Sequence, residues 1–339
     1  MKLLGELKHW AQSSRQHLAL FEGEEDRVLK AAETICRERL AEITLLGCPE
    51  RIHARAAVLG VNLTGIECLD PAHSPHLGTY ADRLHRRRHI RGMTHAEALE
   101  TAAKPACFAG LMVAEGDADA CLGGTVTTTA ATTRAMLWTI GRDTEASVVS
   151  SFHLMISPDE EFGANGAMLF ADCAVVPEPS PGQLAEIALT TAENARTILG
   201  VEPRVAMLSF STCGSAVHRL AEVVVKATRT VKSRAPGLLV EGEVQLDAAL
   251  VPEVAWRKSP GSELQGRANV LIFPTLDAGN IGYKIAERLG RCTAIGPVYQ
   301  GLARVACDLS RGCDASDVVN AAVLTCFQAS RLKAQAIVV

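Results

Sequence analysis

Apolar positions along this chain follow two periods, one of strands and one of helices. The run HLALF at 17–21 is short and continuously apolar, and the polar turn EGEED follows it. Val28, Leu29, Ala32, Ile35 and Cys36 then recur at helical spacing, and residues 43–46 are apolar again. Strand, acidic turn, amphipathic helix and strand make a βαβ unit, the building block of a parallel sheet. The alternation predicts a helix over 49–59, a strand over 66–69, helices across 75–115 and a strand over 118–122 that ends in Gly123-Gly124. The segment TVTTTAATTRAMLWTIG reads as a hydroxyl-rich turn entering a helix that carries Arg134.

After Gly141 the pattern changes. SVVSSFHLMI and AMLFADCAVV are consecutive strand-like runs with a glycine-containing connection, so a hairpin near residue 150 opens a second domain. A helix over about 180–199, the strand RVAMLSFS, a helix to about 234, the strands LLVEGEVQ and ANVLIFP, the helical AGNIGYKIAERLG and the strand CTAIGPVY follow. The chain then reaches DLSRGCDASD at 308–317 and the apolar VVNAAVLTCFQA, a polar loop held at the N-terminus of a core helix. This decapeptide has two readings. Asp314 and Asp317 can form a reciprocal cap of the helix, and the same loop can be a site of chemistry.

Composition narrows the classes. At 339 residues, with 48% hydrophobic, 4% aromatic and 21% charged residues, the chain is a globular α/β protein with ample core. A net charge of -4 argues against nucleic acid as a partner, although HRRRHIR is locally basic. No apolar run has the length of a membrane helix and the N-terminus lacks a signal-peptide core, so the expected location is cytoplasmic. The 11 cysteines are scattered and never spaced CxxC, which predicts reduced thiols rather than a metal or redox site. His85 and His89 flank three arginines that would repel a cation.

Four strand-to-helix turns carry polar side chains, and in a doubly wound sheet such turns gather at one edge. They offer Thr127, Thr128 and Thr129; Ser211, Thr212 and Ser215; Asn280, Tyr283 and Lys284; and Ser310 with Arg311. Hydroxyls and backbone amides at helix starts suit a phosphate, and Arg88, Arg134, Arg311 and Lys284 could neutralise one. The bland alternatives are that the hydroxyls are helix caps and that Arg88 lies on a solvated face. Neither GxGxxG nor GxxxxGK occurs, which weighs against a dinucleotide or P-loop site.

Six blocks carry a resemblance along nearly the whole length: FEGEEDRVLKAAE (21–33), RGMTHAEA (91–98), TTAATTRAML (128–137), MLSFSTCGSA (207–216), FPTLDAGNIGYKIAERLG (273–290) and AIGPVYQGLARVACDLSRGC (294–313). In these the chain resembles the phosphate acetyltransferases (phosphotransacetylases) and their phosphate butyryltransferase relatives, in the short single-module form that includes the ethanolamine-utilisation branch. It departs from the family pattern at Cys213, where lysine is common, at Ala131, where aspartate is common, and at Asp314-Ala315-Ser316-Asp317, where Ser-x-Glu-Asp is common. Ser310, Arg311 and Asp317 stay in register.

The resemblance implies a two-domain, three-layer αβα fold with mostly parallel sheets, like the isocitrate and isopropylmalate dehydrogenases, with a cleft between the domains. Residues 1–143 and 296–339 would form one domain and 144–295 the other. It implies reversible acetyl transfer between acetyl phosphate and coenzyme A, with inorganic phosphate as the third partner, no membrane partner, and a homodimer that could associate with a bacterial microcompartment. Asp317 would take the thiol proton, Arg311 and Ser310 would bind the phosphoryl region, and Arg88 and Arg134 would hold phosphates. Thr128, Thr129, Asn280, Tyr283 and Lys284 would line the cleft. No metal or tightly bound cofactor is expected, because the acyl phosphate already carries a good leaving group.

Other readings stay open at this stage. The acyl chain could be butyryl or another short chain, since added methylenes discriminate weakly. A metal- and nicotinamide-dependent decarboxylating dehydrogenase shares the implied fold, and Asp308, Asp314 and Asp317 would suit it. A catalytically silent binding module is opposed by the intact Ser310, Arg311 and Asp317. Cys313, two residues after Arg311, is a candidate acyl carrier if its thiol is acidified.

Overall fold

The computed structural model describes residues 2–338, with side chains as far as residue 332. The chain divides into two compact units, one of Lys2–Asp143 with the segment from Leu302 onward, the other of Thr144–Gly301. The first stretch runs α1 (Lys2–Ser14), β1 (His17–Leu20), α2 (Asp26–Arg37), β2 (Glu42–Leu46), α3 (Pro49–Leu59), β3 (Glu67–Leu69), α4 (Leu77–Arg88), α5 (His95–Ala102), α6 (Pro105–Glu115), β4 (Ala120–Gly123) and α7 (Thr129–Thr139). The other unit contains β5 (Ser150–Ile156), β6 (Ala167–Ala171), α8 (Pro181–Leu199), β7 (Arg204–Leu208), α9 (Arg219–Arg234), β8 (Leu239–Val244), α10 (Leu246–Leu250), α11 (Pro252–Lys258), β9 (Val270–Ile272), α12 (Leu276–Arg288) and β10 (Thr293–Gln300). The chain then returns to the first unit with β11 (Val305–Asp308) and α13 (Ala315–Val338).

In the first unit the strand order is β3-β2-β1-β4-β11, and every neighbouring pair is parallel. The chain starts at β1, moves outward through β2 and β3, then crosses back to β4 and β11 on the other side of β1. The order therefore reverses between β1 and β4, which is the topological switch point of a doubly wound sheet. Helices α2 and α13 pack together over β1, β4 and β11, and α6 and α7 pack together over the opposite face. Covered on both faces, the strands bury nearly every side chain, which explains their unbroken apolar runs.

In the second unit the order is β10-β5-β6-β9-β7-β8. The expected hairpin is there: β5 pairs antiparallel with β6 from Phe152↔Ala171 to Ile156↔Ala167, and all seven residues of β5 are buried. From β6 onward the neighbours are parallel, with β9 between β6 and β7. The sequence division at 295/296 falls inside β10, which pairs antiparallel with β5 and so belongs to this unit, and the chain leaves it after Gly301.

Four elements were not expected from the pattern. Helix α1 buries only Leu7 and Ala11, so its apolar stripe is thin. Strand β11 is four residues long and merges in sequence with the polar loop after it. Helices α10 and α11 are five and seven residues, separated at Val251-Pro252, too short for a helical period to stand out. Among the described residues no helix is long and apolar enough to cross a membrane.

Candidate functional site

The carboxyl ends of β1, β4 and β11 bring three turns together at the switch point of the first unit, and one carboxylate joins two of them. Glu22, directly after β1, accepts hydrogen bonds from the backbone amides of Gly124 (2.8 Å), Thr125 (2.6 Å), Val126 (3.1 Å) and Thr127 (2.7 Å) and from the Thr125 hydroxyl (2.5 Å). Burial alone would raise its pKa, but the bonds from Thr125, Thr127 and Gly124 outweigh that and hold it below the ordinary carboxylate value. The turn has little slack. Gly124 has φ +113°, and a Cβ there would overlap the Asp308 carboxylate and approach the Leu309 amide to 2.8 Å.

Arg27, in the first turn of α2, ties the third turn to this pair. Its Nη1 donates to the carbonyls of Arg311 (2.9 Å) and Cys313 (3.0 Å), its Nη2 to the carbonyl of Thr125 (2.9 Å), and its Nε to Glu25 (2.7 Å). The loop between β11 and α13 is thereby held against the β4 turn. Within the loop, the Cys313 amide donates to the Ser310 carbonyl (3.0 Å) and the Gly312 amide to the Ser310 hydroxyl (3.3 Å).

The helix start is a capping box. The Asp317 amide donates to Asp314 Oδ1 (3.0 Å), and the Asp314 amide donates to Asp317 Oδ2 (2.9 Å). The sequence offered a cap and a catalytic carboxylate as competing readings of Asp317, and the geometry makes it a cap whatever else it does. Cys313 is 8% exposed, and burial pushes its thiol up to about 11 against the opposing field of Arg27. Its thiol is raised rather than acidified, which removes the basis for a carrier role at neutral pH.

Two further cations are placed by α4 and α7. The Arg88 guanidinium, at the end of α4, lies 4.7 Å from the centroid of the Trp138 ring. Trp138 is one turn beyond Arg134 on α7, so Arg88 and Arg134 serve the same helix face. Neither Arg134 nor Arg311 has an ion-pair partner among the described residues, and both are exposed. Thr128 is the N-cap of α7, its hydroxyl accepting from the Ala131 amide, and the Thr129 carbonyl accepts from the Thr133 hydroxyl. Beside the β1 turn is a cavity of about 330 Å³ lined by Phe21, Leu46, Pro105 and Val126 together with Glu22, Glu24 and Glu25.

Asn280, Tyr283 and Lys284 lie on α12 in the other unit. Lys284 donates to Asn280 (2.7 Å), and Asn280 donates to the Cys173 carbonyl (3.1 Å). Tyr283 is 6% exposed, within the hydrophobic core and stacked on His153 with ring centroids 4.1 Å apart. Ser211 and Ser215, in the turn after β7, are bonded to each other, and Ser211 also donates to Glu243 (3.0 Å). Thr212 exchanges bonds with Gln245.

Sequence reasoning missed three residues here. Glu22 and Arg27 stand inside FEGEEDRVLKAAE, where charges look like an ordinary acidic helix start. Asp308 was weighed only as a metal ligand, yet it ends β11 fully buried. The available signal was position: each sits at or just after the carboxyl end of a strand flanking the switch point.

A doubly wound α/β sheet whose switch point gathers hydroxyls and exposed guanidiniums without ion-pair partners among the described residues suits a phosphorylated ligand. The family model described as phosphate acetyl/butaryl transferase matches residues 2–326. The chain is 45% identical over 329 residues to the phosphate acetyltransferase of Thermoanaerobacterium thermosaccharolyticum, covering 97% of this chain and 100% of that one. Two solved structures superpose closely. They are a phosphotransacetylase from Streptococcus pyogenes (TM-score 0.89, 35% identity) and the EutD phosphotransacetylase from Staphylococcus aureus (TM-score 0.85, 38% identity), each covering 97% of this chain and 98% of its own. The chain belongs to the phosphate acetyl/butaryl transferase family, whose members are acyltransferases.

Proposed function

We propose that this chain is a phosphate acetyltransferase, catalysing acetyl-CoA + phosphate = CoA + acetyl phosphate, with the loop from Ser310 to Asp317 as its reacting centre. In the direction of acetyl-CoA synthesis the thiol sulfur attacks the acetyl carbonyl, the carbon–oxygen bond to phosphate breaks, and the phosphate leaves with the bond's electron pair. The Asp317 carboxylate takes the thiol proton as the carbon–sulfur bond forms. An ionised carboxylate has about four acceptor sites, so the cap bond to Asp314 leaves room for that proton. Arg311 binds the phosphoryl oxygens and offsets charge on the carbonyl oxygen and leaving phosphate, with Ser310 hydrogen-bonding the same region. Arg88 and Arg134 hold phosphates of coenzyme A or of the acyl phosphate. Thr128 and Thr129 line the site beside them, and Asn280 and Lys284 on α12 are assigned to substrate binding, while Tyr283, also expected there, packs in its own unit's core.

The observation that supports this reading most is the Arg311 guanidinium, exposed and without an ion-pair partner among the described residues, on a loop whose backbone Arg27 fixes. We further infer that the enzyme works in the cytoplasm as a homodimer and needs no metal. The test is phosphate-dependent release of CoA thiol from acetyl-CoA in the presence of a chelator. Wild type should release thiol rapidly, while Asp317→Asn and Arg311→Ala should each lose about 100-fold or more in kcat. Full activity in Asp317→Asn would return that residue to capping alone. Release from butyryl-CoA but not acetyl-CoA would reassign the substrate.

A further inference from the structure

Beneath the reacting loop lies a carboxyl group that the proposed mechanism does not use. Asp308 closes β11, directly before Leu309 and Ser310, and is fully buried. Its carboxyl oxygens and the buried Thr132 hydroxyl on α7 make no hydrogen bond of good geometry, although the Thr129 and Thr132 hydroxyls and the Leu309 amide lie close enough to act on the carboxyl. The backbone of Gly124 closes over it so tightly that only glycine fits there. Asp308 thus forms the floor shared by the Gly123–Thr128 turn, the N-terminus of α7 and the loop bearing Ser310 and Arg311.

The groups facing it fix its charge. From the β1 turn comes Glu22, ionised within its cluster of donors. Thr129 and Thr132 come from α7, the neutral thiol of Cys307 from its own strand, and the raised thiol of Cys313 from the loop. At the start of α13 stand the carboxylates Asp314 and Asp317, and Arg27 is engaged with Glu25 and the three carbonyls above. Burial pushes the Asp308 carboxyl up to about 7 and Glu22 adds to the rise, against weaker opposition from the Thr129 and Thr132 hydroxyls and the Leu309 amide. Two neighbouring carboxyls are thereby driven apart, Glu22 below and Asp308 above the ordinary carboxylate value.

We propose that Asp308 is a positioning residue whose neutral, protonated form gives the turn and loop that receive the phosphoryl group an uncharged floor. This rests on the acyl-phosphate reading above. Ionisation of Asp308 would set a negative charge under the anion and beside the Glu22 carboxylate. Acetyl phosphate therefore binds the protonated form, and the enzyme's apparent affinity falls with the protonated fraction as pH rises past 7.

The test compares KM for acetyl phosphate in wild type and Asp308→Asn from pH 6 to pH 8.5. The ratio of the two cancels the substrate's own titration. The ratio of wild type to variant should rise by about ten-fold between pH 6 and pH 8, with kcat for saturating substrate changing far less. A ratio that stays flat overturns the proposal. Should Asp308→Asn fail to fold, calorimetry of acetyl phosphate binding to wild type at pH 8 in buffers of different ionisation enthalpy decides. Uptake of close to one proton supports the proposal, and no uptake overturns it. Absence of any acetyl phosphate turnover by wild type would remove the underlying functional reading, and this inference with it.

Discussion

Replacing Glu22 with glutamine tests whether the switch point is organised by one ionised carboxylate. The native side chain divides five donors between two oxygens: Val126 and Thr127 bond Oε1, while Gly124 and both donors of Thr125 bond Oε2. Glutamine keeps one oxygen and turns an NH2 toward at least two N–H donors. Two hydrogen bonds to a charged group, at about 1.5–3 kcal/mol each, are lost, and donor faces donor. The side chain is partly open to water, which recovers some of this, so the expected loss is about 2–3 kcal/mol. That is a large share of the about 5–15 kcal/mol by which a domain of this kind is stable.

The assay is urea unfolding of wild type and Glu22→Gln at pH 7 and again toward pH 3.5. The folded-state pKa of Glu22 is depressed below its reference of 4.5, so its contribution is present above 4.5 and disappears as pH falls through the folded value. Wild type should exceed the variant at pH 7, and the gap should close in acid. KM for phosphate should also rise in the variant, because the amides of Thr125 to Thr127 lose their anchor. Equal midpoints at pH 7, or a gap that persists unchanged at pH 3.5, would refute the reasoning.

Arg27→Lys keeps the charge but cannot fork between the carbonyls of Arg311, Cys313 and Thr125, so kcat/KM should fall about ten-fold or more while the melting temperature moves by only a few degrees. Wild-type kinetics in that variant would show that the loop holds its place without the arginine. Cys313→Ala should turn over at a near-normal rate, since burial keeps this thiol protonated at neutral pH, at a stability cost of about 1 kcal/mol for the small cavity. A folded Cys313→Ala enzyme with no activity, in the same thiol-release assay, would make the residue a nucleophile after all.

Much of the fold was legible because parallel strands covered on both faces leave apolar runs such as LAL in β1 and VLI in β9, and because amphipathic helices such as α2 show one clean face. The hairpin of β5 and β6 was legible for the same reason. Short elements were not: α10, α11 and β11 hold too few residues for a period to emerge. For the site, exposed or capping side chains could be named from residue type at helix starts, as with Thr128, Ser310, Arg311 and Asp317. Glu22 and Arg27 act through backbone amides and carbonyls more than 95 residues away in sequence, Asp308 is packed under the likewise distant Gly124, and nothing local to any one of them reveals those neighbours.

The capping and catalytic readings of Asp317 are complementary once the loop is taken as a whole. A carboxylate at a helix N-terminus is stabilised in its charged form, which works against proton abstraction, and an ordinary carboxylate is a far weaker base than a thiolate. Such a group contributes only if it is already placed where the proton leaves, so that transfer accompanies formation of the carbon–sulfur bond. The bond from the Asp314 amide fixes that placement at one end of the loop, and Arg27 fixes the carbonyls of Arg311 and Cys313 at the other. The cap then supplies orientation at the cost of basicity. Asp317→Glu is the informative contrast: it retains a carboxylate but moves it by one methylene, and it should lose activity out of proportion to any loss of helix stability. Equal activity in Asp317→Glu would mean that placement matters less than charge, and would leave the capping box with a purely structural role.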